Sequence, residues 1–374
     1  MLCLGLTASP RAVAVAADSL PSRLSDEEFW KIVEDFSEPN GYFQSDNLLS
    51  NEIWFQYVIP DLLARTKPGG VYLGVGPEQN FTYIAAIKPK IVFITDIRRG
   101  NLWMHLMYKA LFELSANRNE FMSRLFTKPL QPKIGPESTA EELQNAYWDA
   151  HTSSSAVYDA NVKAIDDLLV KKHKLPLVSQ DLQGIHDAAY YNFYWFGPSI
   201  NYSSSQGRGP GTYISYGDLM MARDGNGAFR SYLASEENFR VLKDLHERNL
   251  IIPLVGDFAG PKALRAVGRY LKEKGATVTA FYLSNVEQYL QRNGVWQYFC
   301  GNVASMPLDS QSTFIRSVQG GGGGPGGGLV NQLGSMQADT RGCADSQPQV
   351  AGVRRMPCAA RRSCRRRERT SYTR

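Results

Sequence analysis

The sequence predicts an α/β fold, a doubly wound and mostly parallel sheet that carries a helical insertion. Three observations predict it. The run Gly70-Val71-Tyr72-Leu73-Gly74-Val75-Gly76-Pro77-Glu78-Gln79-Asn80 is apolar, ends in closely spaced glycines and passes into a helical pattern, and a second apolar run, Ile91-Val92-Phe93-Ile94-Thr95, ends on Asp96. Strand and helix patterns alternate again from Ser235 onward, as in a parallel sheet with helical crossovers. Between them, from Phe121 to about Tyr213, the sheet pattern is interrupted. At 374 residues and 43% hydrophobic, the chain is long enough for one large domain with an insertion.

The elements follow in order. Ser25 begins a helix, with Glu28 three residues on completing a capping box, and Phe29, Ile32, Val33 and Phe36 fall on one face. Asn40 to Glu52 is dense in hydrogen-bonding side chains and precedes a helix expected over Ile53 to Leu63. Strand, glycine turn and helix come next, then the strand ending at Asp96 and a helix from about Asn101 to Leu114. In the insertion, Pro129 to Pro136 is loop-like and Ala140 to Val170 mostly helical. It closes on an aromatic cluster, Tyr190, Tyr191, Phe193, Tyr194, Trp195 and Phe196, suited to packing the insertion onto the core or to stacking on a flat ligand. Ser235 to Asn249 is helical, Leu250 to Asp257 a buried strand, and Pro261 to Lys274 a helix with Pro near its first turn and Gly275 after its end. Val278 to Leu283 is a further strand running into Ser284-Asn285, and Ser312 to Val318 a last one.

The glycine turn carries the chemistry. Glycines admit backbone close to a ligand with no Cβ in the way. Asp96 lies 20 positions after Gly76, the spacing at which an acid on the second strand meets the ribose of an adenosine-containing cofactor. A dinucleotide site reads G-x-G-x-x-G, with the pyrophosphate on the helix N-terminus. Here Gln79 takes the third glycine position, and Glu78 in the first turn would repel a pyrophosphate. That sets a nicotinamide-dependent oxidoreductase behind a protein for S-adenosylmethionine, which brings cations and no phosphate. The plain alternative is a strand-to-helix turn with Asp96 capping the next helix.

On these residues the chain resembles the class I S-adenosylmethionine-dependent methyltransferases, and the longer phrase resembles an uncharacterised bacterial protein family. The methyltransferase motif reads acid-x-G-x-G-x-G. Gly74 and Gly76 match its first two glycines, Tyr72 stands at its acid and Glu78 at its third glycine. The resemblance implies a Rossmann-like sheet of methyltransferase type and S-adenosylmethionine as cofactor, with Gly74, Gly76, Glu78 and Asp96 around it. It also implies a lid before the first strand, for which Asp46, Asn47 and Asn51 are the candidates. A polar loop with Ser50 capping the next helix is the equal alternative. In that family the end of the fourth strand faces the transferred methyl. Asp257 is expected there as the catalytic residue, with Ser284 and Asn285 toward the acceptor substrate. Gly74, Gly76, Asp96, Asp257 and Ser284-Asn285 all fall at strand carboxyl ends, where open α/β sheets bind ligands. The N/D-P-P-Y/F signature of amino-group methyltransferases is absent: the chain reads Gly256-Asp257-Phe258-Ala259.

The formal charge of +5 comes from the end of the chain, where residues 351–374 hold nine arginines and one acid. The rest sums to −3, which gives no electrostatic case for nucleic acid. A glycine run from Gly320 to Gly328, broken by Pro325, lacks the Lys-Ser/Thr ending of a phosphate loop and reads as a spacer, so residues 319–374 are expected to be linker and unstructured tail. Residues 1–20 read as a secretory signal with an A-x-A cleavage region but no positive n-region, or as an unstructured extension. No other segment has the apolar length of a membrane span. Of five cysteines only Cys300 falls in the expected domain, 21–318, so no disulfide is expected there; the five histidines show no metal spacing. Two functions follow: a methyltransferase of unknown acceptor, or an exported, non-enzymatic binding protein on a degenerate methyltransferase fold. The location, cytoplasmic or exported, separates them, because S-adenosylmethionine is a cytosolic metabolite.

Overall fold

The computed structural model describes residues 18–204, 213–320 and 329–343. The readings of the signal-like start, the glycine run and the arginine-rich end fall outside those residues. Among these residues six strands form one sheet: β1 (Val71–Gly74), β2 (Ile91–Asp96), β3 (Ile251–Val255), β4 (Val278–Ser284), β5 (Thr313–Gln319) and β6 (Leu329–Ser335), in the order β3-β2-β1-β4-β5-β6. β1 to β5 are parallel and β6 runs antiparallel to β5. The first three strands are buried along their whole length, as their unbroken apolar runs require when helices cover both faces. The chain lays down β1, β2 and β3 outward on one side, then returns to place β4 on the other side of β1. That reversal makes the crevice between β1 and β4 the natural ligand position.

Helix α1 (Asp26–Phe36) has the expected Ser25–Glu28 capping box and buries Phe29, Trp30 and Val33. Helix α2 spans Ile59–Arg65, not Ile53 to Leu63: Pro60 occupies its first turn, so the helix starts there and residues 53–58 form turns. Helix α3 (Gln79–Ile87) and helix α4 (Arg99–Leu114) are buried on nearly every face. Among the described residues the insertion adds helices and no strand to the sheet. Its helices include Ala140–Asp149, Ser155–Asp166, Ser179–Gln183 and Tyr191–Phe196, with wider i→i+5 turns over Asp167–Lys172 and Gly184–Tyr190. In the aromatic cluster Tyr190 and Phe193 are buried, whereas Trp195 is exposed, so core packing accounts for only part of it.

Two expectations are corrected beyond β5. Residues 319–374 are not all linker and tail, because β6 pairs with β5 over seven residues and the short helix Met336–Asp339 follows. The glycine run hides this strand, since flexible composition says nothing of what lies beyond it. Cys300 is also not alone. It forms a disulfide with Cys343, which ties the end of the hairpin to helix Trp296–Ala304.

The helix Ala263–Glu273 is capped from a distance. Lys262, at its N-cap, offers no side-chain cap. Glu38, just after α1, fills that role: Oε1 accepts from the N–H groups of Lys262 (2.8 Å) and Ala263 (2.9 Å), and Oε2 from that of Asp257 (3.1 Å). A carboxylate there satisfies donors with no partner inside the helix and meets the positive end of its dipole. Glu38→Ala is expected to cost about 2 kcal/mol of unfolding free energy, the upper range of a lost cap. Urea denaturation measures it, and an unchanged midpoint would remove the capping role.

Candidate functional site

The carboxyl ends of β1 to β4 surround a cavity of about 260 Å³, covered by the strap from Tyr42 to Glu52. Of the residues expected at the site, Gly76, Asp96, Asp257, Ser284, Asn285, Asn47 and Asn51 line it. Gly76 sits at φ +74°, where an L side chain is strained, so its turn demands glycine. Asp96 accepts through Oδ1 from the N–H of Arg98 at 2.9 Å, with Arg98 Nε 3.3 Å away.

Gly74, Glu78 and Asp46 do not line this cavity. A Cβ at Gly74 would stand 2.0 Å from Asn80 Oδ1, so this glycine makes room for a side chain of the protein. Asn80 accepts from Tyr72 Oη (2.9 Å) and donates to the carbonyls of Val75 (2.9 Å) and Pro77 (2.7 Å), tying the turn together from behind. Tyr72, where the resembled motif has its acid, thus braces the turn. Glu78 is fully buried behind it, and neither carboxyl oxygen has a well-formed hydrogen bond. Burial raises its pKa to about 8, offset in part by the backbone N–H groups of Glu78 itself and Ser50. An acid raised to about 8 is mostly neutral at pH 7 and would not repel a pyrophosphate, so Glu78 does not discriminate between the two cofactors. Asp46 borders a second hollow of about 510 Å³, lined also by Trp103 of α4 and by Asp187 and Tyr191 of the insertion.

Asp257 is corrected in position. It follows β3, next to β2, and Ser284 and Asn285 stand at the end of the fourth strand. Among the described residues the insertion supplies no strand, so Leu250 to Asp257 counts as third. Burial, and more weakly Glu38, raise the Asp257 carboxyl above its ordinary value. Its Oδ1 accepts from the N–H of Ala259 at 2.9 Å.

Glu52 was not singled out from the sequence, yet it lines the cavity and is 1% exposed. It accepts from Ser284 Oγ and, at 3.0 Å, from Asn331 Nδ2 of β6. A lone Glu in a polar stretch carries no pattern, and its partners lie more than 200 residues away. Among the described residues the wall therefore presents three carboxylates, Glu52, Asp96 and Asp257, against a single cation, Arg98.

The strap is pinned over the cavity. Gly41 N–H donates to Ile97 O (2.8 Å), Arg99 N–H to Asn40 Oδ1 (2.7 Å), and Arg98 to the Asp46 carbonyl. The rings of Phe43 and Tyr289 meet edge to face at 5.1 Å. Asn47 adopts φ +45° at the bend. Tyr42 is 84% exposed, whereas Leu48 and Leu49 are buried in the core, so it is the first half of the strap that lies at the low-stability end of the molecule. Among the described residues, no group of histidine, cysteine and acid side chains could hold a metal ion, and no helix is long and apolar enough to cross a membrane.

Fold and site together define an α/β protein with an acid-lined cavity at the strand carboxyl ends, at the sheet's reversal point. Residues 44–193 and 205–329 match the family described as Domain of unknown function (DUF7790), and the chain belongs to that family. The matched region includes every lining residue named above except Tyr42 and Phe43. No curated protein matches the chain.

Proposed function

We propose that the strand-end cavity binds S-adenosylmethionine and that the protein transfers its methyl group to an acceptor. The charge of the wall carries this reading. Three carboxylates against one cation favour a cationic ligand, and Arg98 already stands against Asp96. The pyrophosphate of a nicotinamide dinucleotide would meet the wrong sign. The strand order, reversing between β1 and β4, is that of nucleotide-binding sheets and supports the Rossmann-like, methyltransferase-type reading.

The residues fit the group as follows. Gly76 brings backbone close to the ligand without a Cβ. Asp96 Oδ2 makes no hydrogen bond within the described residues and accepts from the ribose hydroxyls. Asp257, beside it on the sheet, accepts from the exocyclic amine of the adenine, a binding role in place of the catalytic one. Ser284 and Asn285 stand toward the acceptor, and Asn47 and Asn51 of the strap close over the ligand. When bound, S-adenosylmethionine supplies a methyl group on a sulfonium, and alignment with the acceptor provides most of the rate. The cavity is slightly under the roughly 300–1,000 Å³ usual for small-molecule sites, so binding entails outward movement of the strap.

The test is thermal unfolding of the full chain with S-adenosylmethionine, S-adenosylhomocysteine or NADH. A ligand at about 100 times its dissociation constant stabilises by about 2.7 kcal/mol, which moves the midpoint by several degrees. A shift with the adenosyl ligands alone is expected; no shift in a folded sample would sink the reading. One observation favours the second reading, an exported binding protein without chemistry. Disulfides such as Cys300–Cys343 persist mainly in oxidising compartments.

A further inference from the structure

Three irregularities meet at the end of β4. The pairing of β4 with β5 slips between Tyr282 and Ser284, a bulge of the kind that re-aims side chains beside active sites. Ser284 then takes φ +49°, a conformation costly for a residue with a Cβ and retained where surroundings over-determine it. Its hydroxyl is thereby turned onto Glu52, which Asn331 holds from the opposite side. Gln79, also lining the cavity, donates to Tyr282 Oη at 3.1 Å, while its Oε1 is buried with no hydrogen bond and the residue is 3% exposed. Burial, with the neighbouring Glu52 carboxylate second, keeps the Tyr282 phenol protonated. This end of the cavity thus offers a buried carboxylate and an unused buried acceptor, and no cationic side chain among the described residues that line it. Such a pole recognises a donor that carries positive charge.

We infer that the β4 end of the cavity holds the nitrogen of an amine beside the transferred methyl, with Glu52 receiving the amine's proton. The acceptor class is a primary or secondary amine. The inference rests on the methyl-transfer reading and deepens it. The ammonium gives one proton to the Glu52 carboxylate. The freed nitrogen lone pair then forms the bond to the methyl carbon as the carbon–sulfur bond breaks, and that bonding pair stays on sulfur, which leaves as a neutral thioether. Gln79 Oε1 accepts from an N–H left on nitrogen and aims the lone pair.

Two ligands isolate this pole. Sinefungin carries a primary amine on carbon in place of the methylated sulfur, protonated at neutral pH; S-adenosylhomocysteine carries a neutral thioether there. Their adenosine and amino-acid ends are the same. Titration calorimetry on the full chain is expected to show sinefungin binding at least 10-fold tighter. Glu52→Gln should reduce that preference to within 2-fold while S-adenosylhomocysteine affinity changes by less than 3-fold. Equal affinities in the unsubstituted protein, which need no variant, overturn the inference. So does a preference that survives Glu52→Gln, or an equal loss for both ligands, which would assign Glu52 to their shared ends. If neither ligand binds, the cofactor reading itself fails, an outcome distinct from the other three.

Discussion

Asp96→Ala is expected to weaken S-adenosylhomocysteine binding at least 100-fold while the protein stays folded. Two ribose hydroxyls on one carboxylate make two charge-assisted hydrogen bonds, each worth about 1.5–3 kcal/mol. Their loss together amounts to about 3–6 kcal/mol, or roughly two to four powers of ten in affinity. Asp96 also receives the N–H of Arg98 and stands 3.3 Å from its Nε, so alanine frees a cation in the wall as well as removing an acceptor. Asp96→Asn separates the two effects: it retains Oδ1 for the turn and loses the charge, and should fall between alanine and the unsubstituted protein. Calorimetric titration gives the affinities and circular dichroism the fold. Unchanged affinity in a folded Asp96→Ala protein would remove the ribose role and leave the acid as a cap of the turn before α4.

The second large effect concerns Glu78. Its carboxyl is pushed from 4.5 to about 8 by burial, so the folded state binds a proton that the unfolded state has already released through the interval between those values. A proton held only by the folded state makes stability fall as pH rises. The contribution is complete below about pH 4.5, declines by about 1.4 kcal/mol per pH unit, and is lost once pH passes the folded-state value. Glu78→Gln removes the titration. Urea denaturation at pH 5.5, 6.5 and 7.5 should show the variant gaining on the unsubstituted protein by about 1.4 kcal/mol per unit, just under 3 kcal/mol over that range by this rough slope. Parallel stability curves would show that Glu78 is ionised inside the fold or reached by water.

Much of this architecture was legible because its signals are local. The apolar runs of β1, β2 and β3 are long enough to require burial on both faces, and the glycines and acids at their ends mark where each strand stops. Gly76, Asp96, Asp257 and Ser284-Asn285 follow from that punctuation, and they meet at one cavity. What escaped was set by distance or by depth. Glu52 acquires its meaning from Ser284 and Asn331, more than 200 residues on, and nothing near it in the chain foretells either. Glu78 and Gly74 sit at motif positions, but the direction of a side chain out of a turn is decided by what packs behind it, here Asn80 and Tyr72. The rank of Asp257 depended on how many strands precede it, and a helical insertion between β2 and β3 alters the count without leaving a strand pattern to correct it.

The antiparallel hairpin that closes the sheet also sets where the chain can be cut for production. A fragment ending near residue 318, where the strand pattern of the sequence stops, would strip β6 from β5 and leave the backbone donors and acceptors of residues 313–318 open along one side. An unpaired edge of that kind is a template for another copy of itself. The same cut discards Cys343 and leaves Cys300 as an odd thiol, together with the loss of a crosslink spanning 43 residues, about 4 kcal/mol by chain entropy. It would also remove Asn331 from Glu52. A preparation carried through residue 343 and kept oxidised should remain monomeric where the shorter one precipitates, and inactivity of the shorter one would say nothing about chemistry.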